Sequence, residues 1–217
     1  MEAVTSPERP PGTLVLLHGH DDDPAALTTL GPAMAPPAWH IVVPAGPVAT
    51  TGGRRAWWRS DDDGAPFPDD VAAATAIVDD VIAQHAPVGP LVLGGFSQGG
   101  ALALALALRD ETAVPPGVTG ALAGVVAISA WLPDLVGLPA DLAGAAGRGT
   151  PVLVAHGDDD DDVPLLLGRS AARLLDRHGV PVAFVTLDVG HQLGPFVPAI
   201  ADWTAAVARG ERPVSPP

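Results

Sequence analysis

A serine held between glycines is the residue of this chain whose surroundings most favour chemistry. The run GFSQG, Gly95–Gly99, has the form G-x-S-x-G, a nucleophile elbow in which a sharp turn between a strand and a helix exposes the serine hydroxyl. Because a hydroxyl is a weak nucleophile, Ser97 would need a histidine as base and a carboxylate that orients the histidine. The chain carries both further on, with aspartates at 158–162 and then His191.

The segment that follows Ser97 has two interpretations. Ala and Leu alternate from Ala101 to Leu108 with the period of a strand. Both residue types are apolar and favour helices, so the alternation is one of size and leaves no polar face. We therefore predict a strand, a turn and then a helix over Gln98–Arg109. The amide of Gln98 would then point to the place where an oxyanion forms, whereas the motif alone is equally compatible with an ordinary polar turn.

Short apolar runs alternate along the chain with segments that have helical patterns. This alternation predicts βαβ units and an α/β fold, with a mostly parallel central sheet and helices on both faces. The aspartate run and His191 each follow a predicted strand, which places them at the same edge of the sheet. The predicted strands are Thr13–Leu17, His40–Val43, Pro90–Leu93, Leu122–Ile128, Pro151–Ala155 and Val182–Leu187, and the helices are Pro24–Met34, Asp69–His85, Gln98–Arg109, Val163–His178 and Pro195–Arg209.

The chain length of 217 residues indicates one domain. We expect this domain to span residues 13–210, with a flexible N-terminus at 1–12 and a flexible tail at 211–217. The segment 44–68 is longer than an ordinary connection, and loops of that length are often functional.

Composition excludes several functions. A net charge of −14 would repel a phosphate backbone, so no nucleic-acid partner is expected. Without cysteine, the chain forms no disulfide, thiolate nucleophile or cysteine zinc site. The aspartate runs lack the spacing of a calcium loop, and neither a metal nor a cofactor is expected. With no signal-peptide pattern and no apolar run that spans a bilayer, we expect a cytoplasmic protein without stable membrane insertion.

Several motifs together resemble the carboxylesterase and phospholipase group of α/β hydrolases, which includes the acyl-protein thioesterases. The resemblance covers nearly the whole chain and implies an α/β-hydrolase fold with a minimal lid or none. The motifs are LLHGHDD at Leu16–Asp22, GGRRAWW at Gly52–Trp58, GGFSQGG at Gly94–Gly100, AISAWLP at Ala127–Pro133, HGDDDDDVP at His156–Pro164, and GH at Gly190–His191.

The resemblance also implies a role for individual residues. Ser97 would be the nucleophile and His191 the base, and the pattern HG-x-x-D-x-x-VP places the acid at Asp160. Because Asp160 lies within five consecutive aspartates, Asp158 and Asp162 remain alternatives. The resemblance further implies that the backbone amides of His20 and Gln98 form the oxyanion hole.

The substrate-binding residues are less well defined by the sequence. Trp57 and Trp58 either line an acyl groove or cap the core, and Trp131 and Leu132 are further candidates. His18 and His156 are expected to hold loops by hydrogen bonds, and Ser129 is expected to be buried. The doublet Arg54-Arg55 and His20 differ from the family pattern and leave substrate preference open.

The predicted function is hydrolysis of a small-molecule or lipid ester or thioester through a Ser-His-Asp triad. Acyl length and leaving group are not determined by the sequence, and an open apolar groove would favour a homodimer. One alternative is a binding protein that kept the scaffold without catalysis. Another is a peptidase-type α/β hydrolase, although 217 residues leave little room for the added domains such enzymes carry.

Overall fold

Parallel strands form the central sheet of the computed structural model, which describes residues 11–85, 89–110, 122–135 and 137–213. The strands in these ranges are β1 Thr13–Leu17, β2 His40–Val42, β3 Val48–Ala49, β4 Arg55–Ala56, β5 Leu91–Phe96, β6 Leu122–Ile128, β7 Val152–Gly157 and β8 Val182–Leu187. Six of them form one sheet in the order β2-β1-β5-β6-β7-β8, and every neighbouring pair in it is parallel. The predicted α/β-hydrolase fold with a mostly parallel sheet is therefore confirmed.

Helices cover both faces of this sheet, as the alternation predicts. In the described chain they are α1 Pro24–Leu30, α2 Pro68–His85, α3 Gln98–Leu108, α4 Leu142–Arg148, α5 Leu165–Arg177 and α6 Val197–Ala208. Buried side chains of α2, α3, α4 and α5 pack in one apolar cluster, and those of α1 and α6 pack in a second cluster. The two clusters lie on opposite faces of the sheet, because successive residues of a strand point to opposite sides.

The bounds of some elements differ from the predicted ones for identifiable reasons. Strand β5 runs on to Phe96 instead of ending at Leu93, because Gly94 and Gly95 still pair with β1 although glycine carries no strand signal. Helix α1 ends at Leu30 and continues as a 3₁₀ turn at Gly31–Ala33. The reason is Pro32, which has no backbone N–H to donate the next hydrogen bond of the helix.

Two small features were not predicted. Strands β3 and β4 pair as a two-residue antiparallel hairpin inside the long connection 44–68, too short for any periodic pattern to show. Helix α4 was missed because its glycines lower helix propensity. Its caps were visible in the sequence: Asp141 accepts a hydrogen bond from the amide of Gly144, and Gly149 ends the helix with a left-handed φ of 65°.

The division of the chain into a domain at 13–210 and flexible ends at 1–12 and 211–217 stays a prediction. Residues 1–10 and 214–217 lie outside the described residues, so the two ends are not tested.

Helix α3 packs unusually close to the strands, and glycines make this possible. Every residue from Gln98 to Leu108 is buried, which accounts for the absence of a polar face in the Ala and Leu run. A methyl group placed on Gly99 would lie 2.3 Å from the carbonyl oxygen of Leu17 and 2.4 Å from that of His18. These are backbone atoms of β1 and the loop after it, so they cannot move aside as a flexible side chain can.

We predict that Gly99→Ala destabilises the protein by about 1–3 kcal/mol, because the added methyl forces α3 away from β1. The matched control is Gly147→Ala in α4, where a methyl group would meet no atom within 4 Å. That change should stabilise the protein by about 0.5–1 kcal/mol, since alanine favours the helix. Chemical denaturation of both variants measures the difference, and equal midpoints for Gly99→Ala and wild type would contradict the packing argument.

Candidate active site

Ser97 occupies a strained turn between β5 and α3. Its backbone has φ 53° and ψ −119°, a left-handed φ that residues with a side chain rarely adopt. The Ser97 amide donates a hydrogen bond of 2.9 Å to the carbonyl of Ile128 at the end of β6, and the Ser97 carbonyl accepts one from Ala101 in α3. Backbone conformations of this kind cost about 1–3 kcal/mol and persist where the surrounding structure enforces them. The turn therefore has the geometry of the predicted elbow.

The next residue, Gln98, connects the elbow to the long connection through its side chain. Its amide oxygen accepts a hydrogen bond of 2.8 Å from the Trp57 amide, and its amide nitrogen donates one of 2.9 Å to the Trp58 carbonyl. Gln98 is almost wholly buried, so these two bonds satisfy both ends of a polar group that would otherwise be costly to bury. The sequence pointed to the Gln98 backbone but not to this side-chain role, because the partners lie 40 residues away in the chain.

The buried side chain of His18 stabilises the same region. Its Nε2 accepts a hydrogen bond from the Gly46 amide, so the proton resides on Nδ1, which donates to the Gly19 carbonyl. Burial lowers the pKa of His18, which favours this neutral form. The imidazole stacks on the Trp57 indole with 4.9 Å between ring centres. His18 therefore holds loops by hydrogen bonds, as the sequence suggested.

The backbone amides of His20 and Gln98 have no hydrogen-bond acceptor among the described residues. The Gln98 amide is at the first position of α3 and so has no partner within the helix. The His20 amide follows the Gly19 amide, which is already used by the Asp22 carboxylate. His20 and Gln98 both line the cavity that contains Ser97.

Asp160 lies against His191 at the carboxyl edge of the sheet. The Nδ1 of His191 donates to the Asp160 carboxylate, at 2.8 Å from one oxygen and 3.0 Å from the other. The amides of Val163 and Asp162 also donate to this carboxylate, whose side chain has no exposed surface. Asp158 is exposed, so of the acids in the run Asp160 is the one that the fold buries beside the histidine.

Opposing effects act on the Asp160 carboxyl. Burial raises its pKa, but the hydrogen bonds from the Val163 amide and His191 lower it, and the net pKa lies below the ordinary value. The buried Ser129 hydroxyl lowers the Asp160 pKa further. Asp160 is therefore ionised at neutral pH and able to orient an imidazole.

His156 is buried behind Asp160 and is not part of the cavity. Its Nε2 lies 2.8 Å from the Val163 carbonyl oxygen, to which it donates, and 3.6 Å from the Asp160 carboxylate. The hydrogen bond ties the end of β7 to the loop that carries the acid. The structure thus agrees with the loop-holding role expected of His156.

Ser97 and His191 open onto one cavity of about 860 Å³. This volume is in the range of small-molecule sites. Its apolar lining includes Trp58, Trp131 and Leu167, and its polar lining includes Ser60 and His20. Among the described residues the Ser97 hydroxyl has no side-chain hydrogen-bond partner, so no hydrogen bond joins Ser97 to His191 although both line the cavity.

The tryptophan pair is divided between the core and the cavity. Trp58 reaches the cavity, whereas the expectation that Trp57 binds substrate is corrected: its side chain is wholly buried and its indole nitrogen donates to the His18 carbonyl. Trp131 and Leu132 both pack against the apolar cluster on the face covered by α3, and of the two only Trp131 also lines the cavity. Of the four candidate substrate-binding residues, Trp58 and Trp131 therefore line the cavity, and Trp57 and Leu132 do not.

The arginine doublet and the aspartate runs act as loop supports. Arg54 donates to the Asp21 carbonyl at 3.0 Å, and the backbones of Arg55 and Asp22 pair with each other. Asp23 caps α1, and Asp61 accepts hydrogen bonds from two amides of its own turn. Within the described ranges no three acidic or histidine side chains converge closely enough to hold a metal ion.

The chain belongs to the phospholipase/carboxylesterase family, whose model matches residues 1–197. It is similar to acyl-protein thioesterase 1 of Gibberella zeae, with 38% identity over 112 residues that cover 48% of this chain and 42% of that protein. Acyl-protein thioesterase 1 of Neurospora crassa is 33% identical over 122 residues, covering 53% of this chain and 44% of the relative. The matched part thus spans less than half the length of these relatives.

Solved structures support the same fold. Acyl-protein thioesterase 2 of Zea mays superposes with a TM-score of 0.75 at 25% identity, over 94% of this chain and 97% of that one. A carboxylesterase of Bacillus cereus gives a TM-score of 0.72 at 22% identity, over 92% and 90% of the two chains. The resemblance to acyl-protein thioesterases is confirmed. No described helix combines the length and apolar content that crossing a membrane requires.

We predict that Gln98→Met destabilises the protein by about 1–3 kcal/mol, because the Trp57 amide and the Trp58 carbonyl lose their buried partners. Methionine has a similar length, so the change removes the hydrogen bonds and little volume. Gln84→Met, at an exposed position of α2, is the matched control and should change stability by less than about 0.5 kcal/mol. Urea denaturation measures both. A Gln98 variant as stable as the Gln84 variant would show that the two bonds contribute nothing.

Proposed function

We propose that the protein is a serine hydrolase that cleaves carboxylic esters or thioesters of small molecules or lipids. The observation that carries the proposal is the arrangement of three residues. Ser97 sits in a strained turn and opens onto the same cavity as His191, and His191 is hydrogen-bonded to the buried Asp160. Family membership supports this chemistry, as do the curated relatives, which are acyl-protein thioesterases.

In the proposed first step, the Ser97 oxygen attacks the acyl carbonyl and His191 accepts the hydroxyl proton. The accepting atom is Nε2, because Nδ1 donates to Asp160 and must keep its proton. Asp160 holds the ring in this tautomer and stabilises the imidazolium that forms. The hydrogen bond between the Ser97 hydroxyl and Nε2 would form in the substrate complex, because catalytic hydrogen bonds are often long in the free enzyme and commonly tighten when substrate binds.

The amides of His20 and Gln98 would stabilise the negative charge on the carbonyl oxygen. Both lack an acceptor among the described residues, and the elbow and the β1 loop hold both in place before substrate arrives. Losing one donor of this kind typically costs about 2.7–4 kcal/mol in the transition state. The tetrahedral intermediate then expels the alcohol or thiol, which takes the proton from His191, and water repeats the sequence to release the acid.

The lining of the cavity supports an acyl group as the bound part. Trp58, Trp131 and Leu167 provide apolar surface next to Ser97, and Leu167 leaves 44% of its surface exposed. Contact of these side chains with an acyl chain would remove apolar surface from water on both partners.

We predict that the wild type hydrolyses p-nitrophenyl esters in a series from acetate to dodecanoate. Ser97→Ala should lower kcat by about 10⁵ to 10⁶, since it removes the nucleophile. Ser170→Ala, at an exposed position of α5, is the control and should retain full activity. Labelling of Ser97 by a fluorophosphonate gives a second readout. If neither esters nor the probe react with a folded protein, the non-catalytic binding function is favoured instead.

We predict that Asp160→Asn lowers kcat for the best ester by about 10³ to 10⁴, because the amide no longer holds the histidine in the required tautomer. Asp158→Asn, which removes one exposed charge two residues away, should change kcat by less than about twofold. The comparison therefore distinguishes the proposed acid from the general negative charge of the run. Equal losses in the two variants would contradict the assignment of Asp160.

A further inference from the structure

Three aspartates and no lysine or arginine are among the described residues that line the active-site cavity. These aspartates are Asp63, Asp134 and Asp162, and all three are exposed. The three come from separate elements: the connection before α2, the segment after β6, and the loop that carries Asp160. The negative charge therefore comes from three separate segments of the chain and not from one turn.

These three carboxylates have no cation to neutralise them. None of them forms a salt bridge or a side-chain hydrogen bond with another described residue. Arg59, at the base of the connection that bears Asp63, is occupied by both carboxylate oxygens of Asp70 and lies over the Phe67 ring. Asp23, by contrast, is an exposed loop aspartate whose side chain is used within the protein, as the cap of α1.

Aromatic surface lies in the same cavity. Trp58 and Trp131 both line it, and indole is the best of the aromatic rings for attracting a cation. Quaternary ammonium groups are recognised in this way when aromatic rings and carboxylates share a pocket. A carboxylate or phosphate in the same place would be repelled by all three aspartates.

We propose that the cavity selects esters and thioesters that carry an ammonium group, in preference to neutral ones of the same shape and against anionic ones. Asp63 and Asp134 act as specificity-determining residues, with Asp162 as a third. The inference rests on the proposed hydrolase function and adds the charge of the substrate to it.

The test uses pairs of substrates in which carbon replaces the ammonium nitrogen. One pair is the butanoate thioester of thiocholine and its neutral isostere, and a second pair places the trimethylammonium group on the acyl chain of a p-nitrophenyl ester. Released thiol can be followed with a disulfide reagent, because the protein contains no cysteine to react with it. Each substrate is compared with itself across enzyme variants, so that differences in intrinsic reactivity cancel.

The variant is D63N/D134N, and the matched control is D176N/D202N, which removes two exposed charges that do not line the cavity. The ratio of kcat/KM for the cationic substrate to that for the neutral one should fall by about threefold to tenfold in D63N/D134N, at low salt and for at least one pair. The control should keep the wild-type ratio. Because the carboxylates are exposed, salt should screen their charge. In an assay at about 0.5 M salt, the kcat/KM ratio of the wild type should therefore fall to about that of D63N/D134N.

An unchanged ratio for both pairs, or an equal fall in the control, would overturn the proposal. The single variants D63N and D134N should each show part of the fall and serve if the double variant does not fold. Binding of butyltrimethylammonium, followed by tryptophan fluorescence, requires no turnover: tighter binding to wild type than to D63N/D134N supports the proposal, and equal binding contradicts it. This readout separates failure of charge selection from failure of the hydrolase function, which would appear as absent hydrolysis of every ester.

Discussion

The close approach of α3 to the strands is the constraint on which the rest of this structure depends. Gly99 lies against backbone carbonyls of Leu17 and His18, and a methyl group on Gly95 would lie 2.3 Å from backbone atoms of Gly99. Two backbones can approach this closely only where no side chain intervenes. The left-handed turn at Ser97 lies between these two glycines, and His20, Ser97 and Gln98 all line the same cavity.

Buried polar contacts extend this constraint to segments far away in the chain. Gln98 binds the backbone of the Trp57–Trp58 segment, and His18 binds Gly46 and stacks on Trp57. Each polar group is satisfied inside the protein, so displacing any one of them would leave an unpaired buried partner. The long connection 44–68 is thereby held as a wall of the cavity, with Trp57 in the core and Trp58 at the surface of the site.

Acidic side chains at the site lie both in the interior and at the solvent-exposed surface of the cavity. The Asp160 carboxylate is buried, accepts hydrogen bonds from two amides and from His191, and is thus kept ionised despite the cost of burial. The other acidic residues that line the cavity remain in contact with solvent. There an ionised carboxylate costs little free energy, and its electric field acts over several ångströms. A strongly acidic composition therefore has two consequences here: one carboxylate that orients the proposed base, and several that set the potential at the opening.

The sequence alone predicted the six strands of the central sheet, five of the six described α-helices, the strand-turn-helix at Ser97 and the role proposed for His191. Periodicity and local propensity act over a few residues, and the sequence displays both directly. The family motif already favoured Asp160 over its identical neighbours, but only the tertiary structure showed that this aspartate of the run is the one buried beside His191. The tertiary structure also separated Trp57 from Trp58 and gave Gln98 its partners. Those outcomes depend on contacts between residues some 30 to 40 positions apart, which no local pattern encodes.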